Sequence, residues 1–441
     1  MKRFLIFLLL AVFACGCGGV KESGVTEITV WHSWAGKQKE LFDKVIAEYN
    51  RTHPGVHVRA VFSPNDTSNS QKFFTSVAAG KGPDVSVVDG PQVAAWAHQG
   101  AILPLDKYFA RDGLTEADFF APCWKENYYR GHIWAAPYSA DPNFAFVWNK
   151  KVFREAGLDP EKPPKTIEEL DEYNEKITKI DPKTGEIKRI GIIPWNIMGS
   201  SVSLYTWGWA FGGSFYDEET ETVTADDPKL VKALEWMCSY ADKYDVKRVS
   251  SFTSGFGSRD QNPFFIGLLG MHFFHVCDIE EVKLYAPNLD YGIGYFPAPP
   301  DGEAQSSWIG GWCFAVPMGS KHPDEAWDLI KWLCADREGT GYAMRTQNLF
   351  PGYRKSAFFD TLEKDGLYGA FYEILLRCKH QRPVEPAQEF YMGELSKAVE
   401  YSLYGVKTPK QALRDARKAH SSPARGTGFA PRPSASRATE A

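Results

Sequence analysis

The chain has 441 residues, 44% apolar and 24% charged, with a formal net charge of −5. That length and balance suit two ordinary domains with packed cores. The slight acidity excludes a generally basic surface of the kind that coats nucleic acid or an anionic membrane.

Lys2 and Arg3 precede an apolar run from Phe4 to Phe13, followed by Ala14-Cys15-Gly16-Cys17-Gly18-Gly19. The run falls short of the about 20 residues a membrane-spanning helix needs. A positive start, a short apolar core and small residues beside a cysteine read as a lipoprotein signal over 1–17. Cleavage before Cys15 or Cys17 would leave a lipid on that cysteine; both remain open. The mature chain would then be periplasmic or at the cell surface, lipid-anchored, with 18–24 as a tether.

Beyond the tether, Glu27–Trp31 reads as a strand and Gln38–Asn50 as a helix, with Leu41, Phe42, Val45, Ile46 and Tyr49 on one face. Val56–Phe62 alternates as a second strand, Gln71–Ala79 is a helix closed by Gly80-Lys-Gly-Pro83, and Asp84–Val88 is a buried third strand. Val93–His98 is a short helix. Strand–helix alternation of this kind predicts an α/β sheet of mostly parallel strands covered by helices. Ligands bind such sheets beyond the carboxyl ends of the strands, which selects His32, Ser33 and Trp34 after the first strand and Asp89 after the third. Further along, helices are predicted over Lys150–Ala156, Ile167–Ile180 (with Thr166 as N-cap), Lys229–Tyr244, Asp324–Ala335, Glu394–Leu403 and Pro409–Ala419. Tyr291–Phe296 is a strand. The segment 421–441 is rich in Pro, Ser, Arg and Gly without apolar periodicity and reads as a disordered tail.

Aromatic residues make up 14% of the chain, with 14 Trp and 20 Tyr. Trp31, Trp34, Tyr128, Tyr129, Tyr138, Trp195, Trp207, Trp209, Trp308 and Trp312 fall outside clear core periodicity. Flat indole and phenol faces near Asp, Asn and Arg suit a sugar ring; they suit lobe packing equally. Six cysteines follow the signal, none in a C-x-x-C pair, so neither a zinc ribbon nor a thioredoxin-like site is expected.

Several ordered segments carry a resemblance: Thr29-Val-Trp-His-Ser-Trp34, Gly82-Pro-Asp-Val85 with Asp89, Gly100-Ala-Ile-Leu-Pro-Leu-Asp106, and Gly131-His-Ile-Trp-Ala-Ala-Pro-Tyr138. Val147-Trp-Asn-Lys150, Pro163-Pro-Lys-Thr-Ile-Glu-Glu-Leu170 and Trp308-Ile-Gly-Gly-Trp-Cys-Phe-Ala-Val-Pro317 follow. Together they resemble the extracellular solute-binding proteins of sugar ABC importers, the maltose-binding-protein-like family. The resemblance implies a two-lobe Venus-flytrap fold of type II, hinge-linked, with the ligand cleft between lobes. Lobe 1 would take 25–138 and 292–340, lobe 2 would take 139–291 and 341–420, and the chain would cross at Ala135–Tyr138 and Tyr295–Ala298. It further implies a carbohydrate ligand captured by hinge closure, an ABC permease as partner, a monomeric receptor, and neither cofactor nor nucleic acid.

Carried onto this sequence, the resemblance makes Trp34 a sugar platform with His32 and Ser33 as hydrogen-bonding neighbours, and Asp89 an acceptor. Tyr138 would face the cleft, Gly310 and Gly311 would admit the ligand to backbone amides beside Trp312, and Arg354 would donate from lobe 2. Trp207 and Trp209 are candidate lobe 2 platforms. One departure stands out: where relatives carry a Gly-x-Trp platform, this chain has Met271-His-Phe-Phe-His-Val-Cys277, placing His275 and Cys277 there. Strand alternation would send His272 to the opposite face, leaving two metal donors, one too few for a zinc site. The competing class is an exported glycosidase using Asp84 and Asp89, which two residues five apart at a strand end serve poorly; a solute sensor or adhesin with the same cleft is a third reading.

Overall fold

The computed structural model describes residues 24–64, 67–256, 261–362 and 366–421. The predicted signal, both candidate lipidation cysteines, the tether up to Ser23 and residues 422–441 of the predicted tail lie outside these. Ser421 ends the last helix, Pro409–Ser421.

The first sheet follows from the amino-terminal pattern. Along the strand Thr26–His32, Ile28, Val30 and His32 alternate into the core. The helix Gly36–Thr52 buries Phe42, Val45, Ile46 and Tyr49, the face the spacing predicts. Thr26–His32 lies between two parallel neighbours, Val56–Phe62 and Val85–Asp89. The sheet is then extended by a late strand, Trp312–Ala315, which runs antiparallel to Val85–Asp89 and on its other side to Ala136–Pro137.

A second, three-stranded sheet centres on Ala145–Asn149, five consecutive buried residues flanked antiparallel by Met271–Phe274 and Tyr291–Gly294. A strand buried on both sides carries no alternation, which is why Ala145–Asn149 is invisible to a period-2 reading.

Between the sheets lies a two-stranded ribbon, Asp141–Asn143 against Trp308–Gly310. The chain passes from Ala136–Pro137 through it to Ala145–Asn149, and returns from Tyr291–Gly294 through it to Trp312–Ala315. A third passage runs alongside, where Ala140 N–H donates to the Phe350 carbonyl and Gly352 N–H to the Tyr138 carbonyl. Ala136–Pro137 belongs to the first sheet, consistent with a lobe 1 segment ending at 138, while the returning strand that pairs in the ribbon is Trp308–Gly310, beyond Tyr295–Ala298. Two lobe boundaries shift. Residues 292–294 pair within the second sheet, not the first lobe. The helix Arg337–Gln347 packs on Gly36–Thr52 and Pro323–Cys334, so 341–347 stays with the first sheet.

Thr166 caps the helix Ile167–Ile177, its hydroxyl accepting from Glu169 N–H at 3.2 Å. The Gly- and Trp-rich stretch near 200 forms a helix, Ser200–Ala210, nearly all of it buried. A helix apolar all round is buried all round, so no amphipathic stripe announces it. Cys123, Cys238, Cys277, Cys313, Cys334 and Cys378 are all free thiols. No helix among the described residues is long and apolar enough to cross a membrane.

Candidate ligand cleft

The ribbon joins the two sheets, and the candidate cleft is built from the side chains on and beside it. Ser139 lies just before it, and its hydroxyl donates to Asp141 Oδ2 at 3.0 Å while accepting from Trp312 N–H at 3.0 Å. The second Asp141 oxygen, Oδ1, is buried and has no partner among the described residues; the same holds for Asn143 Oδ1. Burial pushes the Asp141 carboxyl up to about 7, against the Ser139 hydroxyl and a Phe350 backbone hydrogen bond that pull it down.

The wall on the first-sheet side is aromatic. Trp312 is half-buried and meets Trp34 edge-on at 5.9 Å. Trp34 is itself buried, packed on Phe42 at 4.5 Å and on Tyr138 and Phe314. It therefore braces the Trp312 indole rather than presenting its own face. Tyr138 is fully buried beneath them, its hydroxyl donating to Gln347. Ser33 Oγ and Gln38 Oε1 are buried here without partners among the described residues. His32 is 1% exposed, with both ring nitrogens unpartnered among them, and burial lowers its pKa to about 4, so the ring is neutral at physiological pH.

The opposite wall starts one residue past the ribbon. Phe144 meets the His275 ring at 4.4 Å. Both line a cavity of about 360 Å³ shared with Asn196, His272, Asp278 and Glu281. The strand stops at Phe274, so alternation stops there too: His272 and His275 reach the same cavity, contrary to the opposite-face expectation. Burial holds the His275 ring down at about 4 and the Asp278 carboxyl up at about 7, the latter opposed by the His275 backbone N–H.

Other predicted residues lie elsewhere. Both Asp89 oxygens are taken by Arg382, at 2.9 and 3.2 Å, and the Arg382 Nε contacts Glu126 at 3.3 Å. Asp89 is therefore an ion-pair member, with its side chain still partly exposed. Gly310 and Gly311 face protein, since a Cβ would strike the Asn143 amide or the Ser139 carbonyl; their smallness closes the ribbon rather than admitting a ligand. Trp207 is wholly buried, its indole N–H donating to the Pro194 carbonyl at 2.9 Å. Trp209 stacks on His380 at 5.2 Å and lines a groove of about 990 Å³ with Tyr128 and Tyr129 of the first-lobe segment and Tyr216 of the second. Arg354 is exposed beside Phe120, its backbone N–H bonded to the Asp118 carbonyl; it belongs to the first-sheet side and does not reach over from the second lobe. Arg354→Ala should accordingly leave ligand affinity within about twofold and stability within about 0.5 kcal/mol, as surface substitutions do; calorimetry and chemical denaturation check both. Asp84 accepts from Thr29 N–H at 2.9 Å and from the Ser320 hydroxyl at 3.0 Å, so it ties the first strand to the segment at Ser320. Both members of the imagined glycosidase pair are engaged by partners.

Sequence reasoning missed Asp141, Asn143, Gln38 and Asp278. A usable signal existed for two: Asp141-Pro-Asn143 directly precedes the apolar run Phe144–Trp148, and polar residues abutting a buried strand are themselves drawn below the surface.

Known proteins bear on this geometry. The sequence profile of the family described as bacterial extracellular solute-binding protein matches residues 35–339. The maltotriose-binding protein of Pyrococcus abyssi is 27% identical over 323 residues, which is 72% of this chain and 64% of that protein. The sn-glycerol-3-phosphate-binding periplasmic protein UgpB of Pectobacterium atrosepticum is 25% identical over 91% of this chain and 93% of its own. Among solved structures, CpMnBP1 with mannotriose bound superposes with a TM-score of 0.77 at 30% identity, covering 89% of this chain and 99% of that one. The sugar-binding protein MalE of Xanthomonas citri gives 0.73 at 21% identity over 89% and 96%, a likeness of fold alone.

Proposed function

Because the chain belongs to the bacterial extracellular solute-binding proteins, we propose that it captures a neutral sugar between its lobes and hands it to an ABC permease. The observation that carries this reading is at the ribbon: buried, unpartnered oxygens of Asp141 and Asn143 beside the half-buried indole of Trp312. An ionised carboxylate only accepts hydrogen bonds, a carboxamide accepts and donates, and an indole offers a flat apolar face. Sugar hydroxyls and C–H faces match that set. Closure of the lobes about the ribbon would bring the two walls onto the ligand.

Charge favours a neutral cargo over a phosphorylated one. The side chains named on the ribbon and walls include Asp141, Asp278 and Glu281 but no Lys or Arg, whereas phosphate recognition calls for cationic donors. Of the candidate cationic groups, Arg354 packs beside Phe120 on the first-sheet side, and burial holds the His32 and His275 rings neutral. The relatives named for maltotriose and mannotriose agree with this; the one named for glycerol 3-phosphate marks the alternative. Calorimetric titration with maltotriose, mannotriose, other neutral oligosaccharides and sn-glycerol 3-phosphate decides it. A neutral sugar bound at micromolar or tighter affinity, with no heat from the phosphate, is expected. Tight glycerol phosphate binding would overturn the assignment. Export with a lipid on Cys15 or Cys17, and a monomeric receptor, complete the proposal; mass spectrometry of the membrane-extracted protein and light scattering test them.

A further inference from the structure

Where the second wall turns from strand into helix, three metal-donor side chains come together. As the strand Met271–Phe274 ends, the chain turns through His275–Cys277 into the helix Asp278–Tyr285. Asp278 N–H donates to the His275 carbonyl, and the Asp278 carboxylate accepts from His275 N–H at 2.7 Å. This turn folds Asp278 back towards its two predecessors. The His275 ring nitrogen, the Cys277 sulfur and an Asp278 oxygen all lie within 4.8 Å of one another. His275 Nδ1 stands 3.9 Å from Asp278 Oδ2, too far for a hydrogen bond between them. The third donor missing from the strand reading is thus the residue immediately after the cysteine.

We propose that His275, Cys277 and Asp278 form a zinc site whose fourth position opens on the cavity lined by Phe144, Asn196 and His272. A nitrogen, a sulfur and an oxygen donor suit a borderline-soft ion such as Zn²⁺ over Mg²⁺ or Ca²⁺, which take oxygen donors. Zinc bonds of about 2.0–2.3 Å put tetrahedral edges at roughly 3.2–3.8 Å. The three donors need to draw in by about 1 Å, a side-chain adjustment, because all come from one four-residue turn. The cavity lining contains no Lys or Arg to repel a cation. Three protein donors and an open fourth position leave room for water or a hydroxyl of the cargo.

The test uses metal alone, without sugar, so its failure is separable from any failure of the sugar assignment. The full chain is titrated with cobalt(II) chloride by absorption spectroscopy and with zinc chloride by calorimetry. One ion per chain and a thiolate-to-cobalt charge-transfer band are expected. Cys277→Ser should abolish the band, and His275→Ala and Asp278→Asn should each weaken zinc binding at least tenfold. Cys238→Ser, which alters a distant half-buried thiol, should leave both unchanged. Circular dichroism of each variant confirms folding, and the near-isosteric Cys277→Ser keeps the test open if His275→Ala misfolds. Absence of one-to-one binding at micromolar zinc, or a charge-transfer band that survives Cys277→Ser, would overturn the proposal.

Discussion

Asp141→Asn should weaken sugar binding by about tenfold to a hundredfold. Hydrogen bonds to a charged group in a buried setting are worth about 1.5–3 kcal/mol, and each 1.4 kcal/mol is a factor of ten in affinity. Asp141 Oδ1 is buried and unpartnered among the described residues, while Oδ2 is already engaged by Ser139, so the loss falls on the oxygen available to a ligand. The substitution also removes a pH dependence. Burial raises the carboxyl to about 7, so in the free protein it is protonated below that pH and ionised above it. A sugar that uses the carboxylate binds more weakly as the pH falls from 8 to 5.5, and the Asn variant flattens that slope. Folding runs the other way. The folded pKa exceeds the unfolded one, so the folded state holds more protons between about 4 and 7, and this group's contribution to stability declines as pH rises through that window. Calorimetric titrations of both proteins at the two pH values provide the check. A dissociation constant within twofold of wild type, or an unaltered pH slope, would show that Asp141 faces no ligand.

Arg382→Met should cost about 3 kcal/mol of stability at pH 8. The guanidinium is nearly buried and serves three neighbours: both oxygens of Asp89, one of Glu126, and the Trp308 ring 5.5 Å away. Removing one partner of a buried pair typically costs about 3–5 kcal/mol because the remaining charge is stranded. The lower end applies because Asp89 is still reached by water, its side chain being 31% exposed, whereas Glu126 is only 4% exposed. Glu126 has a second escape. Burial already pushes its carboxyl up to about 7 against the opposing pull of Arg382, and without Arg382 it takes a proton more readily still. The cost of Arg382→Met should therefore shrink as pH falls from 8 to 6, and Glu126→Gln in the same background should recover part of it. Urea denaturation at the two pH values measures this. A loss under 1 kcal/mol, or one independent of pH, would mean that water screens the pair.

The fold was more legible than the cleft, for physical reasons. Amphipathic elements such as Gly36–Thr52 and alternating strands such as Thr26–His32 print their environment onto their sequence, and the ordered short segments carried the family. Elements buried on every side, Ala145–Asn149 and Ser200–Ala210, print nothing periodic. Within the candidate site, Trp312 stood out because an indole in a Gly-rich stretch is conspicuous. Trp34 and Trp207 share that residue type yet are packed inside, and neighbours distant in sequence, Phe314 for one, Trp236 and Phe296 for the other, help decide it. Asp89 misled for the same reason, since the arginine that claims it lies 293 positions away. Asp278 was passed over because strand periodicity was extended past Phe274, where the strand had ended.

The placement of Trp312–Ala315 inside the first sheet has a consequence for biogenesis. Its neighbours are Val85–Asp89 and Ala136–Pro137, so Val88 waits for Cys313 and Val87 for Phe314 before the sheet can close. A ribosome must therefore synthesise past residue 315 before the amino-terminal half can reach its final form. Pairings so far apart in sequence are slow to assemble, because loop closure is paid before any contact rewards it. The amino-terminal half therefore stays open until the strand Trp312–Ala315 has been made and docked.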